Sequence, residues 1–259
     1  MSDVLLVEKL DGHIAKMTVN RPDKLNALNG EVRCAIFGAL DDLEQDDDVR
    51  VVILTGAGEK AFIAGADINE FKDARPVEQY RSMQSGNIYR AMEDFPKPVI
   101  AMINGFCLGG GCELAMACDM RIASTAARLG QPEINLGLIP GGGGSQRLPR
   151  LVGEGWAMRL IMSAEFLSGE EAARIGLVEE AVEPDVLETR TMELASNIGS
   201  RSPMALQAAK ETILAARRMP LDEGLKFERG WFSLLFSTDD MAEGVDAFLE
   251  KRKAEFRGS

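Results

Sequence analysis

Asn104-Gly105-Phe106-Cys107-Leu108-Gly109-Gly110-Gly111-Cys112-Glu113-Leu114 sets three consecutive glycines before an acidic residue at the start of an apolar, helix-like run. Glycines let a backbone N–H approach a ligand closely, and a helix N-terminus adds partial positive charge where those N–H groups point. Glu113, one turn in, can then act as acid or base beside the bound group. A second carboxylate follows in Gly130-Gln131-Pro132-Glu133, and a small-residue segment, Ala61-Phe62-Ile63-Ala64-Gly65-Ala66-Asp67-Ile68, precedes both. Backbone donors beside two carboxylates point to chemistry on an acyl group.

Outward from that stretch, strands and helices alternate. Val4 to Asn20 reads as two short strands around the Asp11-Gly12 turn. Asn29 is a good N-cap for a helix carrying Val32, Ile36, Leu40 and Leu43 at helical spacing, and Asp46-Asp47-Asp48 marks a solvated turn after it. Val49 to Thr55 is a near-continuous apolar run, as expected of a strand buried on both faces. Val77 to Phe95 reads as a helix, Pro98 to Asn104 as a buried strand, and Gly109–Glu113 as a turn into a helix ending near Asp119. Met120 to Ala123 is strand-like, and Glu154 to Ile175 is helical in pattern. Ser202-Pro203 opens a further helix, and the chain from there to Phe256 reads as almost wholly helical, with Thr238 or the following aspartates capping its last segment. This order predicts an α/β fold of right-handed crossover units around a parallel sheet. The simplest division is a core over 1–195 and a helical region over 196–259, whose apolar stripes fold back on the core or pack against another subunit.

Composition narrows the function classes. The chain has 259 residues, enough for a sizeable core. Its 29 basic and 41 acidic residues give a net charge of -12, which argues against a nucleic-acid partner. No apolar run approaches the ~20 residues needed to span a bilayer. Met1-Ser2-Asp3-Val4 lacks the basic and apolar regions of a secretory signal, so a cytoplasmic protein without a membrane partner is expected. Cys34, Cys107, Cys112 and Cys118 form no C-x-x-C pair and read as reduced core thiols. A single histidine, His13, in a turn-like segment, excludes a zinc site built on several imidazoles and disfavours a Ser-His-Asp triad. No metal is expected.

Two glycine motifs are decoys. Gly56-Ala57-Gly58-Glu59-Lys60-Ala61 matches the dinucleotide fingerprint, but Phe62-Ile63-Ala64-Gly65-Ala66 is not the amphipathic helix start that it requires. Gly141-Gly142-Gly143-Gly144 is followed by Ser145-Gln146 rather than the Lys-Ser or Lys-Thr of a P-loop.

The ordered blocks Arg21-Pro22 through Asn26-Ala27-Leu28, Ala61 through Ile68, Lys97-Pro98-Val99-Ile100-Ala101, Asn104 through Ala115, Gln131-Pro132-Glu133, and Ile139-Pro140-Gly141-Gly142-Gly143-Gly144-Ser145-Gln146-Arg147-Leu148 resemble the crotonase, or enoyl-CoA hydratase/isomerase, superfamily, nearly end to end. The resemblance implies a crotonase-like spiral of β-β-α turns. It also implies a helical C-terminal region that assembles homotrimers, often paired into hexamers. The substrate is then a coenzyme A thioester, with coenzyme A its handle rather than a separate cofactor. By the same resemblance, the N–H groups of Ala66 and Gly110 form an oxyanion hole, and Glu113 and Glu133 are the catalytic pair of a hydratase adding water to a trans-2-enoyl thioester. Isomerisation and thioester hydrolysis are the alternatives on the same fold; an RNA-binding relative and a nicotinamide dehydrogenase are the alternatives outside it. Ala64, Gly65, Ala66, Asp67 and Ile68 correspond to the coenzyme A-binding strip. Lys24 and Leu25 lie in the other matching loop, with Lys24 near a coenzyme A phosphate. Gly141 puts a backbone N–H near the catalytic water. Lys251 and Phe248 either close over the adenine end or are an ordinary solvated lysine and core phenylalanine. The stretch Phe71 to Asn87 lines the acyl pocket.

Overall fold

Paired strands recur along the chain, and the computed structural model, which describes residues 4–72 and 75–259, shows what the recurrence builds. β1 (Leu5–Leu10) and β2 (Ile14–Val19) form an antiparallel hairpin whose turn has positive φ at Gly12 and His13. α1 (Gly30–Glu44) buries Val32, Ile36, Leu40 and Leu43, and the Asn29 side chain accepts a hydrogen bond from the Val32 N–H. β3 (Val51–Gly56) then runs parallel to β2, and every one of its residues is buried. Full burial of each Val, Ile or Leu there stabilises the fold by roughly 1.5–3 kcal/mol.

β4 (Ala61–Ile63) follows β3 after a tight turn and belongs to a second sheet. No helix starts at Gly56–Gly58, which removes the context a dinucleotide site needs. A Cβ at Gly56 would overlap the carbonyl oxygens of Ala61 and Phe62, so glycine stands there to let two strands fold back closely. The next elements are α2 (Pro76–Ser85), α3 (Ile88–Asp94), β5 (Val99–Ile103), β6 (Phe106–Leu108), α4 (Gly110–Ala117), β7 (Met120–Ser124) and β8 (Arg128–Gly130). After them come α5 (Gly144–Val152), α6 (Glu154–Ser163), β9 (Leu167–Ser168), α7 (Gly169–Arg174), β10 (Glu180–Val182) and α8 (Leu187–Gly199). α9 (Pro203–Ala215), α10 (Leu221–Leu235) and α11 (Asp239–Glu250) end the chain.

The long strands line up as β1-β2-β3-β5-β7-β10 and the short ones as β4-β6-β8-β9. All neighbours in the first sheet beyond the hairpin are parallel, as are β4, β6 and β8. Each turn of chain therefore places one strand in each sheet before a helix, which is the α/β spiral of β-β-α turns. The main core lies between the sheets and α1, α3 and α4, while α8 covers the other face of the long sheet over Ile14, Ile53, Ile100 and Ile122.

Several local expectations need correction. The helix expected over Val77–Phe95 is two helices, broken where the Asn87 side chain turns back to cap the Arg90 N–H. The helical pattern over Glu154–Ile175 is interrupted by Ala164 at positive φ and by β9. The C-terminal helices stop at Glu250, because Lys251 adopts a left-handed conformation. The tail then folds back, with Arg50 donating to the Phe256 carbonyl and Asp240 accepting from the Arg257 N–H. The 195/196 division falls inside α8, which is continuous across it. Cys34 is exposed rather than a core thiol, while Cys107, Cys112 and Cys118 are buried. The Asp46–Asp48 turn is more than a solvated loop: Asp46 pairs with Lys9. The readings of residues 1–3, and of residues 73 and 74 within the expected acyl-pocket stretch, lie outside the described residues. Among the described residues, no helix is long and apolar enough to cross a membrane.

Candidate active site

The glycine run opens α4. Gly109 is its N-cap, at φ 50 and ψ -124, a conformation that a side chain would disfavour. The Gly109 N–H donates to the Gly130 carbonyl at 2.9 Å, which ties the α4 start to the segment leading into Glu133. Gly110 comes next, and a Cβ built on it would lie 3.6 Å from the Ala66 nitrogen. Ala66 is placed by the neighbours that clamp its strip: Ala64 N donates to Leu25 O, Leu28 N to Gly65 O, and Asp67 N to Leu28 O. Among the described residues the Ala66 and Gly110 N–H groups have no protein acceptor. Two backbone donors thus lie close together, one of them at a helix N-terminus.

Glu113 sits in the first turn of α4 and is 3% exposed. Its Oε1 accepts from the Gly142 and Gly144 N–H groups, each at 2.7 Å. Gly144 begins α5, so the N-terminus of a second helix faces this carboxylate. Burial raises the Glu113 carboxyl above its ordinary value, and the Gly142–Gly144 N–H groups and the Arg147 guanidinium offset only part of that rise. Glu133 lies in a 3-10 turn over Pro132–Leu136, half-buried. Its Oε1 is 3.1 Å from where a Gly109 Cβ would be, so its carboxylate abuts the same glycine run. Burial pushes the Glu133 carboxyl up to about 7; its own backbone N–H opposes this and the neighbouring Glu113 charge adds to it. With its amide turned to suit its neighbours, the Gln131 side chain donates to both Glu133 oxygens.

Of the sequence-derived residues, Ala66, Gly110, Glu113 and Glu133 are therefore brought together. Gly141 lies beside them, but Gly142 and Gly144 are the residues whose N–H groups bond Glu113. Lys24 ends a 3-10 turn whose left-handed cap is Leu25, and both are exposed beside the Ala64–Ile68 strip. Asp67 spends its side chain on structure, pairing with Arg21 at 3.1 Å and with Asn69. Ile68 is 51% exposed. Phe248 is 83% exposed, so it is no core residue, and Lys251 is exposed three residues on. Neither bonds the 64–68 strip among the described residues.

Sequence reasoning missed four residues. Asn26 is wholly buried at positive φ; its side chain donates to the Ala57 and Ala61 carbonyls and accepts from the Arg21 N–H, pinning the loop that clamps Ala66. Tyr89 of α3 reaches the glycines: its hydroxyl lies 2.9 Å from a Cβ built on Gly110, and burial raises its pKa. Arg147 and Glu93 pair at 2.6 Å behind the Gly142–Gly144 turn. Only Asn26 and Arg147 stood within quoted motifs, and nothing in the spacing of α3 marks Tyr89 or Glu93.

A family model described as enoyl-CoA hydratase/isomerase matches residues 9–259. A short-chain-enoyl-CoA hydratase of Clostridium acetobutylicum is 47% identical over 97% of this chain and 96% of its own. A crotonyl-CoA hydratase of Syntrophomonas wolfei is 42% identical over 97% of each. The crystal structure of an enoyl-CoA hydratase from Bacillus anthracis superposes with a TM-score of 0.94 at 41% identity, covering 99% of this chain and all of that one. A family model matching residues 9–259, relatives at 42–47% identity over nearly the whole chain and a spiral shared end to end with a solved enoyl-CoA hydratase place the chain in the enoyl-CoA hydratase/isomerase family.

Proposed function

We propose that the protein is an enoyl-CoA hydratase that adds water reversibly to a trans-2-enoyl-CoA to give the 3-hydroxyacyl-CoA. The observation that carries this reading is the meeting of Glu113, Glu133 and the free N–H groups of Ala66 and Gly110 around one glycine run. Addition of water at C3 pushes the C2–C3 electron pair onto the thioester oxygen. Ala66 and Gly110 donate to that oxygen as it becomes negative, each donor contributing roughly 3 kcal/mol by the usual mutational measure. Glu113, gripped by backbone donors with the Arg147 cation behind them, is the carboxylate that holds the water and takes its proton. Glu133, whose carboxyl titrates near about 7, delivers the proton to C2. Both residues return to their starting states by exchanging protons with water.

The coenzyme A moiety runs along Ala64–Ile68, where backbone rather than side chains is on offer, with Lys24 and Leu25 on the neighbouring loop. It enters as part of the substrate, and the reaction needs no separate cofactor. The protein works as a homotrimer or a dimer of trimers: α10 and α11 expose Leu221, Phe232, Phe236, Phe248 and Leu249, an apolar surface that a single chain leaves uncovered. Lys251 then closes over coenzyme A from the end of α11.

Loss of conjugated-thioester absorbance on mixing with crotonyl-CoA tests the reading, with Glu113→Gln and Glu133→Gln alongside. The expected product has gained the mass of water, and each variant loses about 10²- to 10⁴-fold in rate. Conservation of substrate mass would assign isomerisation, and release of the free thiol would assign hydrolysis. Full activity in either variant would remove that residue from the mechanism.

A further inference from the structure

The turn that grips Glu113 is itself gripped from behind. Arg147 of α5 reaches back, donating from Nη1 to the Gly142 carbonyl at 2.9 Å and from Nη2 to Glu93 at 2.6 Å. Both side chains are largely buried, and the Arg147 Nε has no partner among the described residues, so these two Nη contacts set the orientation of the guanidinium. The other Glu93 oxygen faces Arg217 at 3.8 Å and Arg218 at 3.6 Å, just beyond the end of α9. A Cβ at Gly143 would overlap the guanidinium, so the turn is shaped around it.

Peptide geometry carries this grip to Glu113. The Gly142 carbonyl and the Gly143 N–H belong to one rigid peptide plane and point in opposite directions. Arg147 holds the oxygen end, while the N–H end acts on Glu113 along with its neighbours on either side. A cation on the carbonyl also polarises that peptide and strengthens its N–H as a donor.

We propose that Arg147, held by Glu93, is a positioning residue for Glu113: through the Gly142 carbonyl it fixes the turn that aims the carboxylate at the water, and it sets a buried positive charge behind that carboxylate. The inference rests on the assignment of Glu113 as the water-activating base. The groups facing Glu113 are the Gly142–Gly144 N–H groups, Arg147 of α5, Tyr89 of α3 and Glu133 of the 3-10 turn. Arg33 of α1 acts on Tyr89. Of these, Arg147 is the cation that lowers the Glu113 carboxyl.

The test is a steady-state hydration series with crotonyl-CoA across pH for wild type, Arg147→Gln, Arg147→Lys, Glu113→Gln and the Glu113→Gln/Arg147→Gln pair. Arg147→Gln is expected to lower kcat about 10- to 100-fold, the scale of a misplaced catalytic group, with KM changed far less. Its acidic limb moves up by about one pH unit, since a carboxylate loses its adjacent cation. Arg147→Lys restores the limb while kcat stays low, because lysine keeps the charge but not the fork; it also carries the test if Arg147→Gln fails to assemble. On the Glu113→Gln background, Arg147→Gln costs nothing further. A wild-type kcat in Arg147→Gln, or an unmoved acidic limb, overturns the positioning role while leaving Glu113 as the base. High activity in Glu113→Gln overturns the base assignment and this inference with it.

Discussion

Replacing Glu133 with glutamine is expected to cost activity and raise stability, in a manner set by pH. Burial and the Glu113 charge move the Glu133 carboxyl from 4.5 to about 7 in the folded protein, against the pull of its own backbone N–H. An acid raised in this way binds more protons folded than unfolded between those two values, so stability falls as pH rises from about 4.5 through about 7. A displacement of that size corresponds to about 3 kcal/mol. Solvent reaches Glu133, and screening reduces the figure to roughly 1–2 kcal/mol. Glutamine removes the penalty. At ~2–4 °C per kcal/mol for a chain of this size, Tm should rise by roughly 2–8 °C near pH 8 and by about a quarter of that near pH 5. The assay is thermal unfolding of both proteins in parallel, at one fixed protein concentration because assembly shifts Tm. An equal Tm difference at both pH values, or a lower Tm for the variant near pH 8, would refute the argument that Glu133 stands raised by its surroundings.

The remaining predictions use the same geometry. Gly110→Ala places a Cβ 2.9 Å from the Tyr89 hydroxyl and 3.6 Å from the Ala66 nitrogen; kcat should fall about 10²- to 10³-fold as one oxyanion donor is displaced, and an unchanged kcat in rapid-mixing assays would clear Gly110 of that role. Gly111→Ala drives a Cβ into the Ile63 carbonyl and should abolish soluble, folded protein, whereas Gly38→Ala, exposed in α1 with nothing within 4 Å, should stabilise by about 0.5–1 kcal/mol in denaturant titrations. The kcat/KM for hydration should decline as pH rises through about 7, where Glu133 loses the proton it delivers; a flat profile across that range would assign the donor role elsewhere.

The parts of the fold that local chemistry decides were legible. Asn29, Ser202 and Thr238 cap the helices that their side chains announced, and the unbroken apolar runs at β3 and β5 are buried strands. Breaks inside apparently continuous helical patterns were not. Val77 and Tyr80 before the Gly86–Asn87 break and Ile88 and Met92 after it fall on one helical spacing, so periodicity alone runs two helices together. Over Glu154–Ile175, Leu167 is buried from a strand and Ala172 from a helix, and both satisfy one helical pattern. At the site, the glycines declared Gly110 and Glu113 because a close approach needs glycine whatever surrounds it. Glu93 and Tyr89 gave no such sign: each works through a partner many residues away, and in sequence each is an ordinary member of an amphipathic helix.

Two carboxylates this close would behave alike if their surroundings were alike, and the fold makes them unlike. Glu113 faces the N-terminus of α5, takes two N–H bonds at 2.7 Å and has Arg147 behind the turn, so its burial is met by groups that favour the charged form. Glu133 has burial and a neighbouring negative charge, opposed by its own backbone N–H and the Gln131 amide but by no cation among the causes of its shift. An ionised Glu113 further favours the proton on Glu133, so the pair shares its charge unequally and titrates as a unit. Hydration needs that inequality, one group to take a proton from water and one to give a proton to C2. The division of labour thus comes from what each glutamate faces, and removing Arg147 should narrow the difference between the two glutamates before it disturbs the fold.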